Sequence, residues 1–348
     1  MNDSAFRPDR PPERGPGAAI RALLIVGCFV AAAAGAAVII DSRLPFPPVP
    51  DIASRFRYFA QHQNEYDTIF VGSSRFRHHI IPQEFDAETA AGGVTTHSFN
   101  LGYSGMWPPE SFFYLRQVLA LHPAKLHWVV IELMDYRFGE WENKPLTMRL
   151  VYWHDWKHTA MVLRLMLEAS LPPIEKCREL ATHLRLFFQR MLNPGRAADW
   201  LVGRYFPAKD FEDSGWMARS GFDPEIELDE WTPAARLELA QKVEAVKKFL
   251  PPQPLRPGFA VALQELLNDL HRAGAEPIFV IAPTVRPAEN LVQGLPDGLT
   301  IFRFNQPEEY PQLYVPETHY NVGHLNEEGA HEFTRLLARR FAEHALPR

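Results

Sequence analysis

Short, continuous apolar runs bounded by turn residues alternate with stretches of helical periodicity over much of this chain. Five runs read as strands: Thr68–Val71, Val94–Ser98, Trp128–Leu133, Pro277–Ile281 and Thr300–Phe304. Consecutive apolar positions, rather than an in-out alternation, are what a strand buried on both faces of a parallel sheet requires. Between the runs lie amphipathic helices. One opens at Pro109-Glu110 and carries Phe112, Leu115, Val118, Leu119 and Leu121. A second spans Gly258 to Ala273 with Leu263, Leu266, Leu267 and Leu270 on its apolar face, and ends at Gly274. A third starts at Asn326, has Glu327 and Glu328 at its positive dipole end, and buries Phe333, Leu336, Leu337 and Phe341. Alternating strands and helices predict an α/β three-layer sandwich around a mainly parallel five-stranded sheet. In such a sheet ligands bind beyond the carboxyl ends of the strands.

The N-terminal segment follows a different pattern. Residues 1–17 are rich in Pro, Gly, Arg and Asp and read as a disordered leader. Residues 22–40 then run without a charge, which as a helix spans about 28 Å, close to a bilayer's hydrocarbon thickness. Arg7, Arg10, Arg14 and Arg21 precede the run, and only Arg43 follows closely. The positive-inside rule therefore places the N-terminus in the cytoplasm and the remainder outside. A retained signal anchor over 18–40 fits best. A cleaved signal peptide and a lipoprotein processed at Cys28 are the competing readings. Residues 41–65 read as a linker and a leading helix, and 66–136 with 257–348 as the α/β domain.

Roughly 140 residues separate the third and fourth strands, far more than one crossover helix needs. Residues 137–256 are therefore an insertion. Helical spacing is evident over Met161–Leu171, Ile174–Leu192 and Glu230–Leu250, the last with Leu237, Ala240, Val243, Val246 and Phe249. Six of the eight tryptophans fall here: Trp141, Trp153, Trp156, Trp200, Trp216 and Trp231. A helical cap over the sheet, a sugar-stacking groove and a surface resting on a membrane all accommodate that enrichment.

A net charge of -6 argues against a nucleic-acid partner. Cys28 lies in the apolar run and Cys177 in the insertion, so no intramolecular disulfide is expected. No Cys/His cluster has metal-ligand spacing, and neither a metal nor another cofactor is expected.

The candidate chemistry lies in two segments about 250 residues apart. Tyr66-Asp67-Thr68-Ile69-Phe70-Val71-Gly72-Ser73-Ser74-Arg75 is a strand running into a tight turn with a hydroxyl. Tyr320-Asn321-Val322-Gly323-His324-Leu325-Asn326 places a histidine just before the last helix. A serine on a strand-to-helix turn lies close to backbone N–H donors, and a histidine from a late loop can serve as its base.

On these residues the chain resembles the SGNH/GDSL hydrolase superfamily, and more closely the membrane-anchored SGNH-like proteins of bacterial cell-envelope polysaccharide acylation. The resemblance covers residues about 66–135 and 275–345. Gly72-Ser73-Ser74-Arg75 matches the first block, with Ser74 as nucleophile. Phe99-Asn100-Leu101-Gly102 matches the second, with Gly102 as an oxyanion-hole glycine beside the Ser74 N–H. The third block's asparagine has no clear counterpart, since Glu132-Leu133-Met134-Asp135-Tyr136 follows Val129-Val130-Ile131. Asn321-Val322-Gly323-His324 matches the last block, with Asn in place of the usual Asp.

The resemblance implies that Ser74 attacks an acyl carbonyl, that His324 shuttles the proton and that Asn321 orients the ring. Arg75, Asn100, Asp135 and Glu317 are candidates for substrate contact or for support behind the site. Asp135 or Glu317 would supply the charge that Asn321 lacks, and Arg75 reads equally as an anion-binding residue or a surface ion pair. The implied protein is an extracytoplasmic O-acyl esterase or acyltransferase held at the cell inner membrane. Its partner would be a cell-envelope polysaccharide or its acyl donor, with a membrane-bound O-acyltransferase as a further candidate. A non-catalytic SGNH-like module that binds polysaccharide or scaffolds an assembly is the alternative from another class.

Overall fold

In a computed structural model of the chain, residues 16–43, 46, 49–136, 148–192, 211–217 and 232–346 are described. Residues 1–15 of the expected leader lie outside these residues, as do Trp141, Trp200 and Trp231. The N-terminal apolar run forms α1 (Pro16–Arg43), in which Ala19–Ile40 is long and apolar enough to cross a membrane. α2 (Pro50–His62) then leads into the sheet domain.

The central sheet is built from β1 (Thr68–Val71), β2 (Ser98–Asn100), β3 (Trp128–Glu132), β5 (Glu276–Ile281) and β7 (Thr300–Arg303). All its pairings are parallel, in the order β2-β1-β3-β5-β7. β4 (Gln253–Pro254) with β6 (Leu291–Gln293), and β8 (His319–Asn321) with β9 (His324–Leu325), form two small sheets. The predicted strands hold to within a residue or two except the second. Val94 there donates its N–H to Thr89 O at 2.9 Å, closing off the preceding helix. Thr96 and Ser98 are tied by their side chains to Asp86, so pairing starts only at Ser98.

Because strand side chains alternate between faces, each strand feeds two cores. Ile69, Val71, Phe99, Val129, Ile131 and Phe279 join one cluster; Phe70, Val130, Ile278, Val280 and Phe302 join the other. The first face is covered by α2, α5 (Glu110–Leu119), α7 (Trp156–Glu168) and α10 (Pro257–Arg272). The second is covered by α3 (Ser74–His79), α4 (Pro82–Ala91), α9 (Pro233–Lys248) and α11 (Glu327–Ala345). Helices thus cover both faces of the sheet, and residues 137–256 contribute to both layers. α6 (Met148–Tyr152), α7 and α8 (Pro173–Leu192) extend the first face, while α9 crosses to the second. α9 buries Leu239, Val243 and Val246, and the expected Leu237 and Phe249 are exposed. Trp153 and Trp216 are interior; Trp156 stands in the open.

β1 and β3 are neighbours, yet the chain leaves them toward opposite edges of the sheet. A doubly wound sheet opens a crevice at such a reversal, at the carboxyl ends of those two strands. The Gly72-Ser73-Ser74 turn and Glu132 sit at those ends.

Candidate active site

Ser74 is the first residue of α3, and Ser73 is its N-cap, with Ser73 Oγ accepting the Arg75 N–H at 3.3 Å. The turn itself is fixed from β3. Glu132 Oε2 accepts the Ser73 N–H at 2.6 Å, and Glu132 Oε1 accepts from Arg75 Nε at 2.7 Å. Arg75 Nη1 reaches Glu289 Oε2 at 2.6 Å. Gly72 lets this carboxylate come close: a Cβ there would lie 2.8 Å from the Glu132 side chain. Burial disfavours the charge on Arg75, but the pull of Glu289 and Glu132 outweighs it and raises the guanidinium pKa above its ordinary value. Arg75 is therefore not a surface ion pair, and it also lines the cavity over Ser74. Its guanidinium is buried and shared between two carboxylates that brace the serine turn.

The histidine arrives on the β8–β9 hairpin, where Asn321 pairs with His324 across Val322-Gly323. Behind it, Asn326 caps α11 by accepting the Gly329 N–H at 2.9 Å and donates to Glu317 O at 2.6 Å. His79, from the end of α3, accepts the Leu325 N–H on Nε2 at 3.1 Å and so ties the hairpin to the helix that carries Ser74.

The two candidate groups meet: Ser74 Oγ lies 2.8 Å from His324 Nε2. On the other side of the ring, Nδ1 lies 3.1 Å from Asn321 Oδ1. Asn321 Oδ1 also accepts the Gly323 N–H at 2.9 Å, which fixes which end of the amide faces the ring. An amide oxygen only accepts, so this contact puts the imidazole proton on Nδ1. Nε2 is then a lone pair, and the Ser74 hydroxyl donates to it. Ser74, His324 and Asn321 are all half-buried, reachable by a ligand but partly shielded.

The other expected residues have different neighbours. Asn100 is fully buried and is a backbone staple: its Nδ2 donates to Phe76 O at 2.7 Å and Ile80 O at 2.8 Å. Its Oδ1 accepts the Gly102 N–H at 2.8 Å, so that N–H points at Asn100. Gly102 is needed for close packing, since a Cβ there would lie 2.5 Å from Arg77 N. The Ser74 N–H, in the first turn of α3, has no intrahelical acceptor. Asp135 pairs with Arg256 at 2.5 Å, and the exposed Glu317 pairs with Arg236 at 3.4 Å.

A cavity of about 690 Å³ opens over Ser74 and His324. Its apolar wall includes Trp107, Met134, Val285 and Val322, and Val246 and Lys242 of α9 complete it. The insertion thus supplies part of the site's wall. Arg286 also lines the cavity and lies 3.7 Å from Glu289. Among the described residues no group of three or more His, Cys, Asp or Glu side chains is placed to hold a metal ion. No protein-family model matches the chain, and comparison with curated proteins finds no match.

Glu132, Glu289 and His79 have no part in the expectation from sequence. Glu132 carried a signal: it is the one charge closing an apolar strand, Trp128-Val129-Val130-Ile131. Glu289 and His79 carried none.

Proposed function

We propose that this protein is a membrane-anchored, extracytoplasmic SGNH-like O-acyl esterase or acyltransferase that works through a serine acyl-enzyme on a cell-envelope polysaccharide. The observation that carries the reading is the relay Ser74 Oγ–His324 Nε2 at 2.8 Å and His324 Nδ1–Asn321 Oδ1 at 3.1 Å. Ser74 Oγ attacks the acyl carbonyl as its proton passes to Nε2. The tetrahedral intermediate collapses, the leaving group takes that proton from the imidazolium, and an acyl ester remains on Ser74. A water or a sugar hydroxyl then repeats the sequence in reverse. The Ser74 N–H is the oxyanion donor best supported by the geometry. Gly102 contributes only if it exchanges Asn100 for the substrate. The cavity volume falls within the ~300–1,000 Å³ usual for small-molecule sites. A membrane-bound acyltransferase that delivers the acyl group is a compatible partner.

The test is labelling of the full chain in detergent with a fluorophosphonate, followed by peptide mapping. Modification confined to the Ser74 peptide and abolished by Ser74→Ala supports the proposal. An unreactive wild-type chain favours the second reading, a binding or scaffold module on the same fold. Asn321 is the observation behind that reading, because its amide oxygen brings no charge to an imidazolium.

A further inference from the structure

α8 carries an apolar stripe turned away from the protein. Ile174, Cys177, Ala181, Leu184, Phe188 and Met191 follow one another at spacings of three and four residues, and all are exposed. A stripe at this spacing lies along a single helix face. The opposite face, with Glu179, His183 and Leu186, is buried against the domain. Arg178 and Arg185 are exposed beside the stripe. Exposed Trp156 of α7 lies beside it, its ring 5.9 Å from that of Phe187.

α8 also packs against α1. Along Ala19–Ile40 the described residues are exposed except Ala33, Ala37 and Ile40, a stripe confined to the last third of the span. Those positions cover about 10 Å of helix axis. If α1 crosses a bilayer, a helix lying against its final 10 Å sits at the boundary between acyl chains and headgroups. An amphipathic helix buries its apolar face about 5–10 Å into that boundary, with basic residues at the headgroups and aromatic residues at the interface.

We propose that the exposed face of α8 lies in the outer interface of the membrane that α1 spans, with Arg178 and Arg185 toward anionic headgroups. This seats the domain on the bilayer by two elements, a spanning helix and an in-plane one, and rests on α1 being a retained anchor. The reading of Ser74 and His324 is independent of it.

The two cysteines make the test direct, because Cys28 lies in α1 and Cys177 in the α8 stripe. The full chain is reconstituted in vesicles of zwitterionic and anionic phospholipid. A spin label is placed on Cys177 in Cys28→Ser and on Cys28 in Cys177→Ser. Collision rates are then measured with molecular oxygen, which concentrates in lipid, and with a nickel chelate, which stays in water. The expected result is an oxygen-to-nickel ratio at Cys177 several-fold above that of a label on the exposed, water-facing α9 position Glu244→Cys (in a chain lacking both native cysteines), and below that at Cys28. Cys28 in lipid with Cys177 as nickel-accessible as the α9 label overturns the proposal and leaves the anchor standing. Loss of the Cys28 segment, or a water-exposed Cys28, overturns anchor and proposal together. A Cys177 label shielded from both agents and broadened by a neighbouring label overturns it in favour of a second copy on this face. Phe188→Glu should return the Cys177 ratio to the aqueous value; an unchanged ratio refutes the role of the stripe.

Discussion

Placing a charge behind His324 is the sharpest perturbation of the proposed relay. In Asn321→Asp the side-chain oxygen keeps its two donors, the Gly323 N–H at 2.9 Å and the ring Nδ1 at 3.1 Å, so the change is electrostatic rather than steric. A unit charge about 4 Å from the ring's charge centre interacts by about 4 kcal/mol at an effective dielectric near 20. Asn321 is only half-buried, and water at its open side cuts this to about 2 kcal/mol at the lower end. At 1.36 kcal/mol per decade, ~2–4 kcal/mol is roughly a 30- to 1,000-fold faster acylation on the plateau above the acid limb, where the ring starts neutral. That range lies below the ~10⁴-fold loss that the reverse change, Asp to Asn, causes in a serine-protease triad, where the acid is buried. The same interaction stabilises the protonated ring, so the acid limb of the pH–rate profile should move up by ~1.5–3 pH units. The assay is the burst of alcohol released from an activated acyl ester, followed from pH 4 to 9 in wild type and variant. A variant with an unchanged rate and an unmoved acid limb, against a wild type labelled at Ser74, refutes the idea that imidazolium formation at His324 limits the reaction.

Arg75→Met should lower unfolding stability by about 3–5 kcal/mol, because it takes the guanidinium from two buried carboxylates, leaving Glu132 with the Ser73 N–H and Glu289 with Arg286 at 3.7 Å; urea denaturation of the detergent-solubilised chain measures it, and a loss under 1 kcal/mol would show that the pair does not brace the turn. His319 is held down to about pKa 4 by burial, against which its hydrogen bond with Val315 O works only weakly. The unfolded chain therefore binds an extra proton between about pH 6.5 and 4, and stability falls as pH drops through that window by on the order of 3 kcal/mol. His319→Gln should flatten that slope in denaturation curves at pH 7.5 and 4.5; identical slopes would disprove the assignment.

The sheet was legible because its strands are uniformly apolar and bounded by turns, which leaves little freedom in where they begin. The second strand slipped because Val94-Thr95-Thr96 has strand composition, while its polar groups are taken by Thr89 O and Asp86. The Ser74–His324 pairing was legible because each residue sits where chain geometry is tightly set, a strand-to-helix turn and a capped helix start. What surrounds the pair was not. Asn100, Gly102 and Arg75 fit site roles by type, yet their bonds run to the backbone and to carboxylates. Only distances between segments far apart in sequence distinguish a hydrogen bond to substrate from one to a neighbouring strand. The insertion was legible as helices and as a candidate cap over the sheet, but not which of its helices walls the cavity, because nothing in the periodicity of α9 tells which face of the sheet it crosses to.

The neutral Asn321 bears on which half-reaction the site favours. In the proposed mechanism an imidazolium must form twice, once as Ser74 attacks and once as the second nucleophile attacks the acyl ester. A reactive acyl donor lowers the first barrier without touching the second, since the intermediate is an ordinary oxygen ester whatever the donor was. The acyl-enzyme should therefore accumulate, and its decay should be slow in water. A sugar hydroxyl held in the cavity over Ser74 has the advantage of effective concentration, which in well-oriented systems reaches ~10⁵ M or more against about 55 M water. Weak base activation thus penalises water and a bound acceptor equally, and the binding site decides between them. Mass measurement of the intact chain after mixing with an activated acetyl ester should find one added acyl group on Ser74 that persists for minutes. Its decay should accelerate on addition of an acceptor polysaccharide fragment, and Asn321→Asp should shorten its lifetime in buffer alone. An acyl-enzyme that never accumulates although the ester turns over would mean that deacylation is not slowed, and that Asn321 does not hold the second barrier high.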